Sequence, residues 1–232
     1  MTPMTPLQTR ILDAALPLVP FDGWSEATFR AATEAAGATP AQARTAFPRG
    51  GVGLALAFHD RADAALAPAM AAEDLSQLRY RDKVALALWL RLELVAPEKE
   101  AVRRGVTLFS LPQHAADGAR AIWSTADTVW EALGDTSRDV NWYTKRATLA
   151  GVWSSVVLFW LGDTSEGSRA TREFIDRRID DVMRIEKVKA QARKSRVLSA
   201  LMAGPNLILD RVRAPVRPPR TDLPGLWRPE DV

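Results

Sequence analysis

The chain has 232 residues, of which 47% are hydrophobic and 25% are charged, and these are ordinary values for a protein that buries a sizeable core. It has no cysteine, which excludes disulfide scaffolds, zinc ribbons, iron–sulfur clusters and thiol nucleophiles. The net charge of +3 is uneven: residues 187–220 carry nine basic side chains against one acidic side chain, whereas residues 1–186 have a net charge of −3. A near-neutral body with one basic arm predicts contact with a polyanionic surface, either a membrane or a nucleic acid.

Apolar residues spaced three and four apart dominate the chain, so we expect an all-α protein of about nine to ten helices. Ser25 and Thr39 are expected N-caps, and Gly37 is an expected helix stop. No signal or transit peptide is visible in the sequence. The helices are predicted at about residues 7–19, 24–36, 40–47, 51–75, 78–95, 97–109, 112–133, 138–161 and 167–188, followed by an amphipathic segment at 194–211.

The first three helices, within about residues 7–60, resemble the helix-turn-helix of TetR-type regulators, in which the third helix enters the major groove. Phosphate contacts need several cations at that helix. The sequence offers Arg30, Arg44 and Arg49 there. We therefore expect a retained scaffold with no DNA as a partner, and a TetR-type, ligand-responsive DNA-binding transcription regulator is the alternative function.

The helix predicted at residues 138–161 has one continuous apolar stripe. Its members follow one another at intervals of seven, four, three and four residues, which places them on one helical face. Packing of this helix in the core and lining of a cavity by one of its sides are both open from the pattern alone. The stripe consists of Trp142, Leu149, Trp153, Val156 and Trp160, and Val157 belongs to the flank beside it.

Residues 135–146 read Asp-Thr-Ser-Arg-Asp-Val-Asn-Trp-Tyr-Thr-Lys-Arg, and a second Asp-Thr-Ser follows at residue 163. We expect both Asp-Thr-Ser segments to form turns and N-caps. The longer stretch resembles the signature of the accessory-protein family of coenzyme Q (ubiquinone) biosynthesis, and the similarity extends over about residues 7–210. The resemblance implies a TetR-like fold that binds isoprenoid lipids in an apolar pocket. It also implies that the protein presents quinone intermediates to the membrane-associated di-iron demethoxyubiquinone hydroxylase.

Two sets of site residues are expected. The resemblance implies that the Trp-Tyr pair lies in the surface that docks the hydroxylase; the alternative is that Trp142 belongs to the core and Tyr143 is its partly exposed neighbour. The neighbouring basic pair could steer an acidic partner, and the alternative is that it is solvated surface. The expected docking residues are Asn141, Trp142, Tyr143, Lys145 and Arg146. The expected lipid-pocket residues are Leu149, Trp153, Val156, Val157 and Trp160.

The basic arm contains a second amphipathic pattern at residues 194–211, interrupted at Gly204-Pro205. Large aliphatic side chains flanked by cations are typical of a helix that lies in a membrane interface. The alternative is a helix that folds back on the body or exchanges with another subunit. The expected membrane-contact residues are Val197, Leu198, Leu201, Met202, Leu207, Ile208 and Leu209. The proline-rich tail at residues 212–232 is expected to be disordered.

The chain holds no Glu-x-x-His, Gly-x-Ser-x-Gly or phosphate-loop motif, so we expect no enzyme and neither a metal nor another cofactor. His59 and Asp63 are spaced i, i+4, but Asp60 and Arg61 between them indicate a solvated helix face. A bound isoprenoid lipid or quinone intermediate is expected instead.

We expect four parts: a helix-turn-helix-like unit at residues 1–60, a lipid-binding body at 61–193, the membrane-contact helix at 194–211 and the tail at 212–232. TetR-like folds commonly dimerise, so a homodimer is expected. The sequence begins at its first helix, which suggests a bacterial member that is cytoplasmic and peripheral to the inner membrane.

Overall fold

The computed structural model describes residues 3–194 and residue 214, with side chains in the last helix described as far as residue 184. The described residues form an all-α fold, as the sequence predicts. The α-helices are α1 (Pro6–Ala15), α2 (Val19–Asp22), α3 (Glu26–Ala35), α4 (Pro40–Ala46), α5 (Gly51–Ala71), α6 (Tyr80–Glu93), α7 (Lys99–Phe109), α8 (Ala115–Ala132), α9 (Val140–Gly162) and α10 (Arg169–Lys194).

Local sequence signals set the ends of the first helices. The side chains of Ser25 and Thr39 accept hydrogen bonds from the first turns of α3 and α4, which confirms both predicted N-caps. Gly37 has φ +65° directly after α3, a conformation that favours glycine, and confirms the predicted stop. The prediction of a single helix at residues 7–19 was wrong, because α1 ends at Ala15 and a separate short helix, α2, follows. Pro17 has no N–H with which to continue the helical ladder.

Close backbone contact fixes the start of α5. A Cβ atom added at Gly51 would lie 2.5 Å from the carbonyl oxygen of Trp24 and 2.6 Å from that of Ser25. Glycine is therefore required where α5 meets the α2–α3 connection. Residue 60, the expected boundary between the first two parts, lies inside α5.

A layered helical body surrounds α8. This helix packs between α5 and α9, while α10 covers α9 and α6 on the other side. One hydrophobic cluster runs continuously from Ile11 in α1 through Leu54 in α5 to Val156 in α9. Helices α5 to α9 thus enclose the centre of the protein. Within the described residues, every helix is too short or too polar to cross a bilayer.

Candidate functional site

An apolar cavity of about 430 Å³ lies among α5, α6, α7, α8 and α9. Its volume is within the usual range for a small-molecule site. Helix α7 contributes one face, since Ala101, Val102, Gly105, Val106 and Phe109 all line the cavity. The opposite wall consists of aliphatic and aromatic side chains from the other helices, including Phe58, Leu92, Ile122, Trp153 and Val157.

The cavity has a buried inner end and an exposed rim. Phe58, Arg91 and Leu92 line it and are buried. Ala119 is exposed, and Leu158, which also lines it, is 60% exposed. A ligand would therefore enter past α8 and the outer part of α9 and reach the core between α5 and α6.

A buried polar cluster adjoins the inner end of the cavity. Asp63 is fully buried, and its Oδ1 atom accepts hydrogen bonds from Arg91 Nε at 2.7 Å and from Thr125 Oγ1 at 2.9 Å. His59 Nε2 lies 3.3 Å from Asp63 Oδ2. Burial alone raises the pKa of Asp63, but the close approach of His59 and the hydrogen bond and charge of Arg91 outweigh burial and hold that pKa below its ordinary value.

The expectation that His59 and Asp63 lie on a solvated helix face is wrong. Asp60 between them is exposed, but residues four apart on a helix share a face, and this face of α5 points into the protein. The sequence of α5 does not indicate that Asp63 pairs with an arginine, because Arg91 belongs to α6. The available signal was a single arginine in the otherwise apolar run of residues 84–92.

The structure divides the five expected pocket residues among three environments. Trp153 and Val157 line the cavity. Val156 and Trp160 are buried in the core and line neither this cavity nor the second cavity described below. Leu149 lines a second cavity. The predicted stripe itself is confirmed, because Trp142, Leu149, Trp153, Val156 and Trp160 are all buried. The sequence pattern did not predict most of the residues that line the cavity, above all those of α7.

The two residues of the expected docking pair differ in burial. Trp142 is 8% exposed and packs against the edge of Tyr143, with ring centroids 4.7 Å apart, so its prediction as an exposed anchor was wrong. Tyr143 is half-buried and Asn141 is exposed. The structure therefore agrees with the alternative interpretation, in which Trp142 is a core residue and Tyr143 is its partly exposed neighbour.

The basic pair beside them is neutralised by carboxylates. Arg146 is 1% exposed, and its Nε and Nη1 atoms donate to Asp127 at 2.5 Å and to Asp135 at 3.1 Å. Lys145 Nζ donates to Asp135 at 2.8 Å. Burial raises the pKa of Asp135, but hydrogen bonds from Lys145, Ser137 and Arg146 lower it to about 2. Arg146 is therefore a buried structural residue, and its predicted role in steering a partner was wrong.

The second cavity, of about 340 Å³, lies among α6, α8, α9 and α10. Two docking residues, Asn141 and Lys145, line it together with Leu149. Its other walls include Tyr80 and Trp130, whose rings stack with centroids 5.9 Å apart. Part of the predicted docking set thus lies at the mouth of a groove beside α10.

Two of the three cations near the short α4 helix are paired with acids. Arg44 forms an ion pair with Glu26 and lies over the ring of Phe29. Arg49 donates to both carboxylate oxygens of Asp117, at 3.0 Å and 2.5 Å. These contacts reduce the positive charge that α4 offers to phosphate.

The expected membrane-contact residues lie outside the described residues, as does nearly all of the expected tail. They are Val197, Leu198, Leu201, Met202, Leu207, Ile208 and Leu209.

Comparison with known proteins gives a consistent result. A family model for COQ9 matches residues 115–186. "Ubiquinone biosynthesis protein COQ9, mitochondrial" of Rattus norvegicus is 32% identical over 196 residues, which cover 82% of this chain and 62% of that protein. The Homo sapiens protein of the same name is 30% identical over 196 residues, covering 82% of this chain and 61% of that protein. The chain thus spans about three fifths of the length of these curated relatives.

The fold has a solved counterpart. The crystal structure of the TetR transcriptional regulator from Nitrosomonas europaea matches with a TM-score of 0.62 and 20% identity, covering 76% of this chain and 97% of that chain. At that identity the match concerns the fold alone. The family match and the curated relatives support membership of the COQ9 family, and the solved counterpart shows that the fold is TetR-like.

Proposed function

We propose that this chain acts in ubiquinone biosynthesis as a non-enzymatic accessory protein that binds isoprenoid quinone intermediates in the cavity between α5 and α9. The names of the curated relatives support the pathway. The single observation that supports lipid binding is the apolar cavity of about 430 Å³ with a buried inner end and an exposed rim. An apolar ligand gains free energy there because both surfaces leave water.

The size of the cavity limits what it holds. At about 30 Å³ for each water-sized group, it accommodates on the order of 14 heavy atoms. That corresponds to roughly three five-carbon isoprene units, or to a substituted ring with a short stub of tail. We propose that a long polyprenyl quinone enters in part and that the remainder of its tail leaves past Leu158.

We further propose that the partner receiving the quinone is the di-iron demethoxyubiquinone hydroxylase. The exposed side chain of Asn141 and the half-buried Tyr143 support a contact surface at the start of α9. The +8 arm at residues 187–220 supports a peripheral association with an anionic membrane surface, where each cation contributes about 1 kcal/mol. A homodimer and a place at the inner membrane of a bacterium complete this proposal; the curated relatives named above are mitochondrial proteins.

The test of lipid binding uses two matched glycine substitutions. Gly105 lines the cavity, and a Cβ atom there would have only Trp24 Nε1 within 4 Å, at 3.6 Å, so Gly105→Leu should occupy cavity space without a severe clash. Gly151 lies on the exposed side of α9 with nothing within 4 Å, so Gly151→Leu is the matched control.

Each protein is purified without harsh detergent, and its apolar extract is measured by mass spectrometry. We expect prenylated quinones or their precursors with the wild-type and Gly151→Leu proteins, and several-fold less with Gly105→Leu. Equal lipid content in all three proteins would contradict binding at this cavity. An extract without isoprenoid compounds from the wild-type protein would contradict the proposed function.

A further inference from the structure

We propose that the inner end of the cavity is a polar subsite, in which His59 and Arg91 bind an oxygen-substituted ring and hold the head group of the ligand inward. The apolar tail then points toward the rim. This inference rests on the proposed function, because it assumes that a ligand occupies the cavity.

Arg91 supplies hydrogen-bond donors to a cavity whose walls are otherwise largely apolar. It is 3% exposed and lines the cavity, yet its Nε donates to Asp63 and its Nη2 donates to the carbonyl oxygen of His59 at 3.2 Å. A guanidinium has five N–H groups, and these two bonds use two of them. Within the described part of the chain, Nη1 makes no hydrogen bond. Hydrogen bonds are electrostatically stronger in the low-dielectric interior than in water, so a ligand oxygen that accepts from Nη1 inside this apolar cavity would form a stronger bond than it forms in water.

His59 supplies the complementary group. Its Nε2 lies 2.9 Å from the carbonyl oxygen of Ala121, which only accepts hydrogen bonds, so the network assigns a proton to Nε2. When the ring is neutral, Nδ1 is then an acceptor. Nδ1 has no hydrogen-bond partner among the described residues, and His59 also lines the cavity. The pair therefore offers one acceptor, suited to a ring hydroxyl, and one donor, suited to a carbonyl or ether oxygen.

The charges of the cluster favour a neutral head group over an anion. Arg91 is compensated by Asp63, whose carboxylate is fully buried and receives its Nε–H. While His59 is neutral, a phosphate or carboxylate would enter beside that carboxylate without a free counter-charge, which is unfavourable in a buried site. A neutral phenol or quinol ring can pair with both the donor and the acceptor, a quinone ring can pair with the donor of Arg91, and none of these rings introduces a charge. The apolar walls formed by Phe58, Leu92 and Trp153 suit the carbon frame of such a ring.

The test compares three probes that share a tail of two isoprene units: the dimethoxy-methyl-benzoquinone, the benzene ring without oxygen substituents, and the linear diprenyl phosphate. Binding to the wild-type protein is measured by titration calorimetry. We expect the quinone to bind at least about tenfold more tightly than the oxygen-free ring, since hydrogen bonds to a charged donor are the stronger class. We expect the phosphate to bind more weakly than the quinone.

Two variants test whether the preference for the quinone over the oxygen-free ring depends on Arg91. Asp63→Asn combined with Arg91→Met removes both charges together, and we expect the quinone and the oxygen-free ring then to differ by no more than about twofold, with the affinity for the oxygen-free ring retained. Asp63→Asn alone keeps the donors of Arg91 and is expected to keep most of the preference. If the double variant keeps the full preference, the assignment of the subsite to Arg91 is wrong.

A measurement on the wild-type protein remains decisive if the double variant does not fold. The chain has two histidines, so ¹⁵N-histidine spectra are simple, and His114→Gln assigns them. We expect the reduced (quinol) form of the quinone, whose ring hydroxyl can donate to Nδ1, but not the oxygen-free ring, to shift the Nδ1 resonance of His59. No shift, or equal affinity for the two rings, overturns the subsite while leaving apolar binding intact. Failure of every probe to bind the wild-type protein instead contradicts the proposed function, and tightest binding of the phosphate identifies an anion site and overturns the neutral-ring proposal.

Discussion

Arg146 lays its guanidinium across the indole of Trp142, with Cζ 4.1 Å from the ring centroid, and both side chains are buried. Asp127 and Asp135 hold the guanidinium by hydrogen bonds. The most distinctive part of the sequence therefore builds a packed joint between the end of α8 and the start of α9. Any partner surface at this place consists of the residues that cover the joint.

Substitutions of the aromatic pair should separate folding from docking. Trp142→Ala removes a buried indole and its cation–π contact, so we expect it to lower the free energy of unfolding by about 3 kcal/mol. Tyr143→Ala truncates a half-buried ring and should cost about 1 kcal/mol. Urea unfolding followed by circular dichroism measures both values.

If the hydroxylase docks at this surface, Tyr143→Ala weakens its binding in a pull-down assay while the protein stays folded. Asn141→Ala, at an exposed position in the same helical turn, provides a second docking variant. Wild-type affinity in both variants would contradict the docking assignment. Equal stability of Trp142→Ala and Tyr143→Ala would contradict the burial argument.

The pKa of Asp135 predicts a loss of stability in acid. Its pKa is about 2 in the folded protein and near 3.8 in the unfolded chain, so the unfolded state binds the proton more readily. The contribution of Asp135 is thus complete above about pH 4 and disappears as the pH falls toward 2, amounting to about 2 kcal/mol.

Asp135→Asn should remove this part of the acid dependence. At pH 7 it should also lower the free energy of unfolding by about 2 to 4 kcal/mol, because buried Arg146 then keeps only Asp127 as a carboxylate partner. Urea titrations between pH 7 and pH 2.5 measure both effects. An unchanged slope between pH 4 and pH 2.5 would show that the contacts of Asp135 contribute nothing to folding.

Features of this protein that depend on contacts close together in the sequence could be predicted, whereas features that depend on contacts between helices could not. The caps Ser25 and Thr39 act within three residues, and the stripe on α9 follows from helical period alone, so both could be predicted. The Asp63–Arg91 pair joins two helices, and local periodicity carries no information on which helices meet. The cavity could not be predicted for the same reason, because α7 lines it across from Trp153 only after the helices pack.

A second carboxylate with a low pKa holds the start of α10. Asp163 Oδ2 accepts hydrogen bonds from the backbone N–H of Thr171 at 2.9 Å and from its hydroxyl at 2.5 Å, while Oδ1 accepts from the N–H of Ser165 at 2.8 Å. Burial raises the pKa of Asp163, and these hydrogen bonds lower it to about 2. Asp163→Ala should therefore destabilise the protein by about 1 to 2 kcal/mol, as the loss of a helix cap does.

The neighbouring exposed residue provides the control for this prediction. Thr164→Ala leaves the contacts of Asp163 in place and should change the melting temperature little. Thermal unfolding at pH 7 compares the two variants with the wild-type protein. If Thr164→Ala costs as much as Asp163→Ala, the effect comes from the loop as a whole and not from the cap.

Two glycines that line the same cavity should respond in opposite ways to alanine. Both lie inside helices, where replacing glycine by alanine adds about 0.5 to 1 kcal/mol of stability through backbone entropy alone. At Gly105 the new Cβ atom would meet only Trp24 Nε1 at 3.6 Å, which is an ordinary contact, so Gly105→Ala should raise the melting temperature. At Gly118 it would lie 2.8 Å from Phe109 Cβ and 3.4 Å from the carbonyl oxygen of Phe109, so Gly118→Ala should lower it. Because helix propensity favours both substitutions equally, calorimetric scans that shift both melting temperatures in the same direction would contradict the close packing of α7 on α8.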